Sequence, residues 1–87
     1  MEKRCRTDIM ADVLKTVKAT EEKEDMPYGA KKKHIMEKAG LNFSQLRRYL
    51  KDLTDLGFLR EENGFYRTTE NGSKFIEKHQ EIQELLK

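Results

Sequence analysis

The chain has 87 residues, 39% of them charged and 36% hydrophobic, with a formal net charge of +2. That length allows one small domain, near the size at which a single core is marginal and oligomerisation helps. Its single cysteine, Cys5, excludes an internal disulfide and a Cys-based zinc site.

MEKRCRTD does not read as a secretory leader. No apolar run approaches the roughly 20 residues that span a bilayer, so a cytoplasmic protein is expected. Residues 8–19 read as the first helix. Ile9, Met10, Val13, Leu14 and Val17 recur at helical spacing, with Thr7 or Asp8 as cap. EEKEDMP at 21–27 then reads as a charged loop in which Pro27 ends any helix, and Tyr28-Gly29 as a short extended segment.

A second helix is expected from Ala30 to Lys38, stopped by Gly40, with Leu41 plugging the core in the turn. Asn42 caps a third helix over 43–56, and Gln45 completes a capping box. Its apolar stripe is Leu46, Leu50 and Leu53, flanked by Tyr49 and Leu56; Gly57 is the stop. Asn63-Gly64 is a two-residue hairpin turn between strands 58–61 and 65–68. In that register Glu62 faces Phe65, Glu61 faces Tyr66, and Arg60 faces Arg67. Thr69 caps a last helix over 70–86.

The predicted fold is therefore mainly α with a small β-hairpin. A short glycine-containing turn joins helices two and three, as in a helix-turn-helix, and the hairpin that follows makes it winged. Two parts are expected: a winged helix-turn-helix over 1–69 and a C-terminal helix over 70–87.

The charge is uneven. Residues 26–60 hold eight basic and three acidic side chains, residues 1–25 six and seven, and residues 61–87 four and six. The positive footprint lies in the middle third, where a nucleic acid would meet it. On a wheel of about 100° per residue with Leu46 at zero, Ser44, Lys51 and Arg48 fall at about 160°, 140° and 200°, away from the core. Arg47 and Gln45 flank them. Arg pairs with guanine and Gln with adenine, so Ser44, Gln45, Arg47 and Arg48 are the candidate base contacts. Lys31, Lys32 and Lys33 open the second helix against its dipole, which suits a phosphate backbone; a solubilising lysine run is the other reading. With Lys51, Arg60 and Arg67 they make the candidate phosphate contacts. Arg60 and Arg67 are opposed, as a phosphate clamp requires; Glu62, diagonal to Arg67, could instead neutralise it.

Phe75, His79, Ile82 and Leu86 are spaced four, three and four apart, and Ile76 and Leu85 widen the seam. Either the last helix packs on its own domain, or Phe75, His79, Ile82, Leu85 and Leu86 form a homodimer contact. No nucleophile–base pair, phosphate loop or metal spacing is present, so neither an enzyme nor a cofactor is expected.

AKKKHIMEKAGLNFSQLRRYLKDLTDLGFL followed by NGFYRTTENGSKFIE resembles the small archaeal winged-helix DNA-binding proteins of the ten-kilodalton Sulfolobus chromatin type. The matching features are Ile35-Met36, Leu41-Asn42-Phe43-Ser44, Tyr49-Leu50, Leu56-Gly57-Phe58-Leu59 and Tyr66 followed by Thr69-Glu70-Asn71-Gly72. The last helix is shorter than in that family. The resemblance implies double-stranded DNA as partner, a transcriptional or nucleoid role, a recognition helix over 43–56, and a dimer helix over 70–86. The alternative is a winged-helix adaptor that docks proteins, which Asp52, Asp55 and the mixed-charge wing favour.

Overall fold

The computed structural model describes residues 5–21 and 29–86. Four helices and three short strands follow in the order α1 (Arg6–Glu21), β1 (Ala30–Lys31), α2 (Lys32–Ala39), α3 (Phe43–Asp55), β2 (Leu59–Glu62), β3 (Phe65–Thr68) and α4 (Glu70–Leu85). The fold is a winged helix with a C-terminal helix, as predicted. Most of the loop expected at 21–27, and Tyr28 of the extended segment, lie outside the described residues. Among the described residues no helix is long and apolar enough to cross a membrane.

The core follows the hydrophobic pattern. Met10, Val13, Leu14 and Val17 of α1 meet Ile35 and Ala39 of α2 and Leu46, Leu50 and Leu53 of α3. Leu41 plugs the turn, and Leu59, Tyr66 and Ile76 close the core from the sheet and α4. Helix α1 is longer than expected at both ends, because its ends have distant anchors. The Cys5 carbonyl accepts from Ile9 N–H at 3.1 Å, so the first turn begins at Arg6 rather than at a Thr7 or Asp8 cap. At the far end the Glu21 carboxylate accepts from the Thr68 backbone N–H.

The expected start of α2 at Ala30 is corrected. Ala30 and Lys31 pair antiparallel with Tyr66 and Phe65, so the sheet has three strands in the order β1-β3-β2. Helix α2 begins only at Lys32 and ends at Gly40, whose left-handed φ of 68° lets its N–H reach the Met36 carbonyl. Gly29 can approach β3 because it has no Cβ; one built there would collide with the Tyr66 carbonyl. The hairpin register is the predicted one throughout: Leu59–Thr68, Arg60–Arg67, Glu61–Tyr66 and Glu62–Phe65. Its strands lie one residue further on at the first edge, beginning at Leu59. Asn63 and Gly64 both have positive φ, as the two-residue turn demands.

Helix α4 is tied to the base of the wing. The Thr69 hydroxyl accepts from Gly72 N–H at 3.1 Å and donates to the Gly57 carbonyl. The Thr69 N–H donates to the Phe58 carbonyl at 3.0 Å. Further along, the Phe75 ring lies 5.1 Å from that of Phe58 and 6.3 Å from that of His79. His79 Nε2 is 2.8 Å from the Asp8 carboxylate on α1, while its buried Nδ1 has no hydrogen-bond partner among the described residues. Hydrogen bonding to His79, and then to Cys5, holds the Asp8 carboxyl below its ordinary range.

Gly72→Ala is expected to destabilise the fold by about 1–3 kcal/mol, although alanine normally favours a helix. A Cβ there would lie well inside contact distance of the Phe58 carbonyl and the Thr68 methyl. Chemical denaturation measures this, and an unchanged or raised stability would count against the close approach. The Asp8 contribution has a defined sign. A depressed carboxylate stabilises above its unfolded value of about 3.9 and loses that effect as pH falls through the folded value. Denaturant midpoints of wild type and Asp8→Asn should therefore differ most near neutral pH and converge in acid.

Candidate nucleic-acid interface

The interface begins with the rotation of α3. Leu46, Leu50 and Leu53 are buried, so Ser44, Arg47, Arg48 and Lys51 turn to solvent. The predicted capping box is present: Asn42 Oδ1 accepts from Gln45 N–H at 2.8 Å, and Gln45 Oε1 accepts from Asn42 N–H at 3.1 Å. Of the four expected base contacts, Gln45 is thus hydrogen-bonded within the cap. Its carbonyl already accepts one hydrogen bond in the cap, while its amide NH2 is left for a partner. Leu56, expected beside the stripe, is exposed and serves as the C-cap.

An open groove of about 760 Å³ runs between α3, the start of α2 and the wing. Ser44, Arg47, Arg48 and Lys51 line it from α3 together with Asp52 and Asp55, Lys32 lines it from α2, and Glu61 and Tyr66 from the wing, so the lining is mixed in charge with a small basic excess. Burial, and then the Glu61 charge, push the Tyr66 phenol above its usual range, so it stays a hydrogen-bond donor at neutral pH. The α2 N-terminus that faces this region has no side-chain cap and no acidic residue in its first turn. A helix N-terminus without an acidic side chain, with Lys32 in its first turn, favours an anion.

The remaining expected contacts are spread around this groove rather than in it. Lys31 belongs to β1, with its ammonium 5.4 Å from the centre of the Phe65 ring. Lys33 is exposed on α2 and outside the groove lining. Arg60 and Arg67 are opposed as predicted, but the neutralising partner differs. Glu62 accepts from Arg60 Nε at 2.7 Å along its own strand, instead of crossing to Arg67. A residue two positions away on one strand shares its face, so this pair is closer than the diagonal one. Arg67 makes no ion pair with a described residue.

Two contacts were not anticipated. Arg6 pairs with Asp52 and bolts α1 to α3, which gives Asp52 a structural partner within the chain. Phe43, the first residue of α3, is 54% exposed, and the Arg47 guanidinium lies 5.8 Å from its ring centre. The four-residue spacing of Phe43 and Arg47 was the available signal for that pair.

The expected dimer seam divides in two. Phe75 and His79 are half-buried and pack within the chain, against Phe58 and Asp8. Ile82, Leu85 and Leu86 are left 53%, 84% and 76% exposed. Among the described residues no group of three or more His, Cys, Asp or Glu side chains gathers as a metal site would.

A family model described as winged helix-turn-helix matches residues 3–87. The crystal structure of Sso10a-2, a DNA-binding protein from Sulfolobus solfataricus, is similar to this chain with a TM-score of 0.68 and 27% identity, over 95% of this chain and 85% of that one. No curated protein matches. The likeness to small archaeal winged-helix proteins expected from the residues is found.

Proposed function

The chain belongs to the winged helix-turn-helix family, and from that premise we propose that it binds double-stranded DNA without catalysis, as a transcriptional regulator or nucleoid-associated protein. The observation that carries the reading is the groove that gathers Arg47, Arg48 and Lys51 of α3 with Lys32 of α2 around an open, concave surface. Similarity to a DNA-binding protein of the same fold supports it.

In this reading the helix over 43–56 enters the major groove from its N-terminal half. Ser44, Arg47 and Arg48 meet base edges, and Gln45 contributes its free amide NH2. Lys31, Lys32, Lys33 and Lys51 meet phosphates, with Arg67 and the wing strands over 58–68 on the adjacent backbone. Arg60 joins them when a phosphate displaces Glu62. Cationic contacts position the domain, and base-edge contacts supply any preference. The protein-docking alternative loses one of its supports, since Asp52 is held by Arg6.

The N-terminal part, 1–69, carries the DNA-binding face, and the helix over 70–87 carries a homodimer contact through Ile82, Leu85 and Leu86. An exposed apolar cluster at the end of a helix in so small a chain supports that role. Such a protein would act in the cytoplasm, on the nucleoid.

Titration of a mixed-sequence duplex across a salt series should give log K falling against log salt with a slope of about −5, as expected for six or so phosphate contacts. Arg48→Ala should cost about 1–3 kcal/mol of binding and relax preference at one base pair. Absence of binding at low salt would overturn the reading in favour of a protein-docking adaptor. Sedimentation equilibrium should give twice the chain mass, and the double variant Ile82→Asp, Leu85→Asp should give the single chain mass with unchanged helicity.

A further inference from the structure

Phe43 is an aromatic ring at the first turn of a helix whose partner face is polar and cationic. It contributes little to the core: Leu41, two residues earlier, is buried in the turn, while the Phe43 ring stays more than half exposed. The Arg47 guanidinium lies over its ring. Arg47 in turn lines the groove between α3, α2 and the wing. The ring is therefore joined to that groove through Arg47, on the N-terminal half of the helix that presents Ser44 and Arg48.

Thymine carries a 5-methyl group in the major groove, and an aromatic side chain makes a favourable apolar contact with it. We infer that Phe43 is a specificity residue that contacts a thymine methyl group at the rim of the α3 face, while its ring orients Arg47 toward the neighbouring base or phosphate. The inference rests on the DNA-binding reading of this face and deepens it. Ring and guanidinium act as a pair. The stacked arginine loses less side-chain freedom on binding, and the ring gains an apolar partner that the polar groove lacks.

The test compares one A·T-rich duplex with the same duplex in which every thymine is replaced by deoxyuridine, which removes only the methyl groups. Wild-type protein should bind the thymine duplex about fourfold more tightly, the effect of burying one methyl-sized group. Phe43→Ala should bind the two duplexes alike, and Phe43→Leu, which keeps an apolar group, should retain part of the preference. Equal affinity of wild type for both duplexes overturns the inference and leaves DNA binding intact. So does a full preference in Phe43→Ala, because the difference then comes from DNA shape. Binding to neither duplex at low salt overturns the DNA-binding reading, and the role of Phe43 with it.

Discussion

The burial of three leucines on α3 sets everything else. A helix is free to rotate about its axis until an apolar stripe is pinned, and Leu46, Leu50 and Leu53 pin this one against α1 and α2. Once they are inside, the spacing of the helix dictates which side chains face out, and those are Ser44, Arg47, Arg48 and Lys51. The capping box holds the end nearest these groups, and the Arg6–Asp52 pair holds a later turn to α1. The basic face is thus a consequence of packing, with side chains presented on a rigid element rather than on a loop.

Charge is arranged locally around that face. The net charge of +2 says little; the grouping of Lys32, Arg47, Arg48 and Lys51 on one groove says more. The wing tempers it. Glu62 neutralises Arg60, and Glu61 accepts from Gly64 N–H at 3.1 Å and so closes the turn. Both glutamates of the wing thus have partners within the hairpin. The wing is then a mixed-charge flank beside α3, with Arg60 paired along its own strand.

Legibility in the residue order tracked the range of the interactions. The α3 cap and stripe were readable because Asn42, Gln45 and the leucines lie within a few residues of one another. The hairpin register was readable because a two-residue Asn-Gly turn leaves only one pairing. Ala30-Lys31 looked like a helix start because its pairing with Tyr66 and Phe65 is made across 35 residues or so of chain, beyond local propensity. The ends of α1 were misplaced for the same reason, since their anchors, Asp52 and Thr68, lie far downstream. In α4 the periodicity identified an apolar stripe but not its partner. A seam of Phe75, His79 and Ile82 fits another helix of the same chain as well as it fits a second chain, and packing on α1 and Phe58 takes the first half of it.

The clamp of Thr69 and Gly72 on Gly57 and Phe58 has a consequence for how such a fold can diversify. It locks the wing at its root, where α3 ends and α4 begins, and leaves the tip at Asn63-Gly64 exposed and unattached to the helices. A locked root and a free tip make the wing a modular appendage. Its loop can lengthen, shorten or change sign of charge without tilting α3, because the load-carrying joint lies elsewhere. Variation among proteins built this way should therefore accumulate at the turn, while the threonine and the glycine at the root stay what they are.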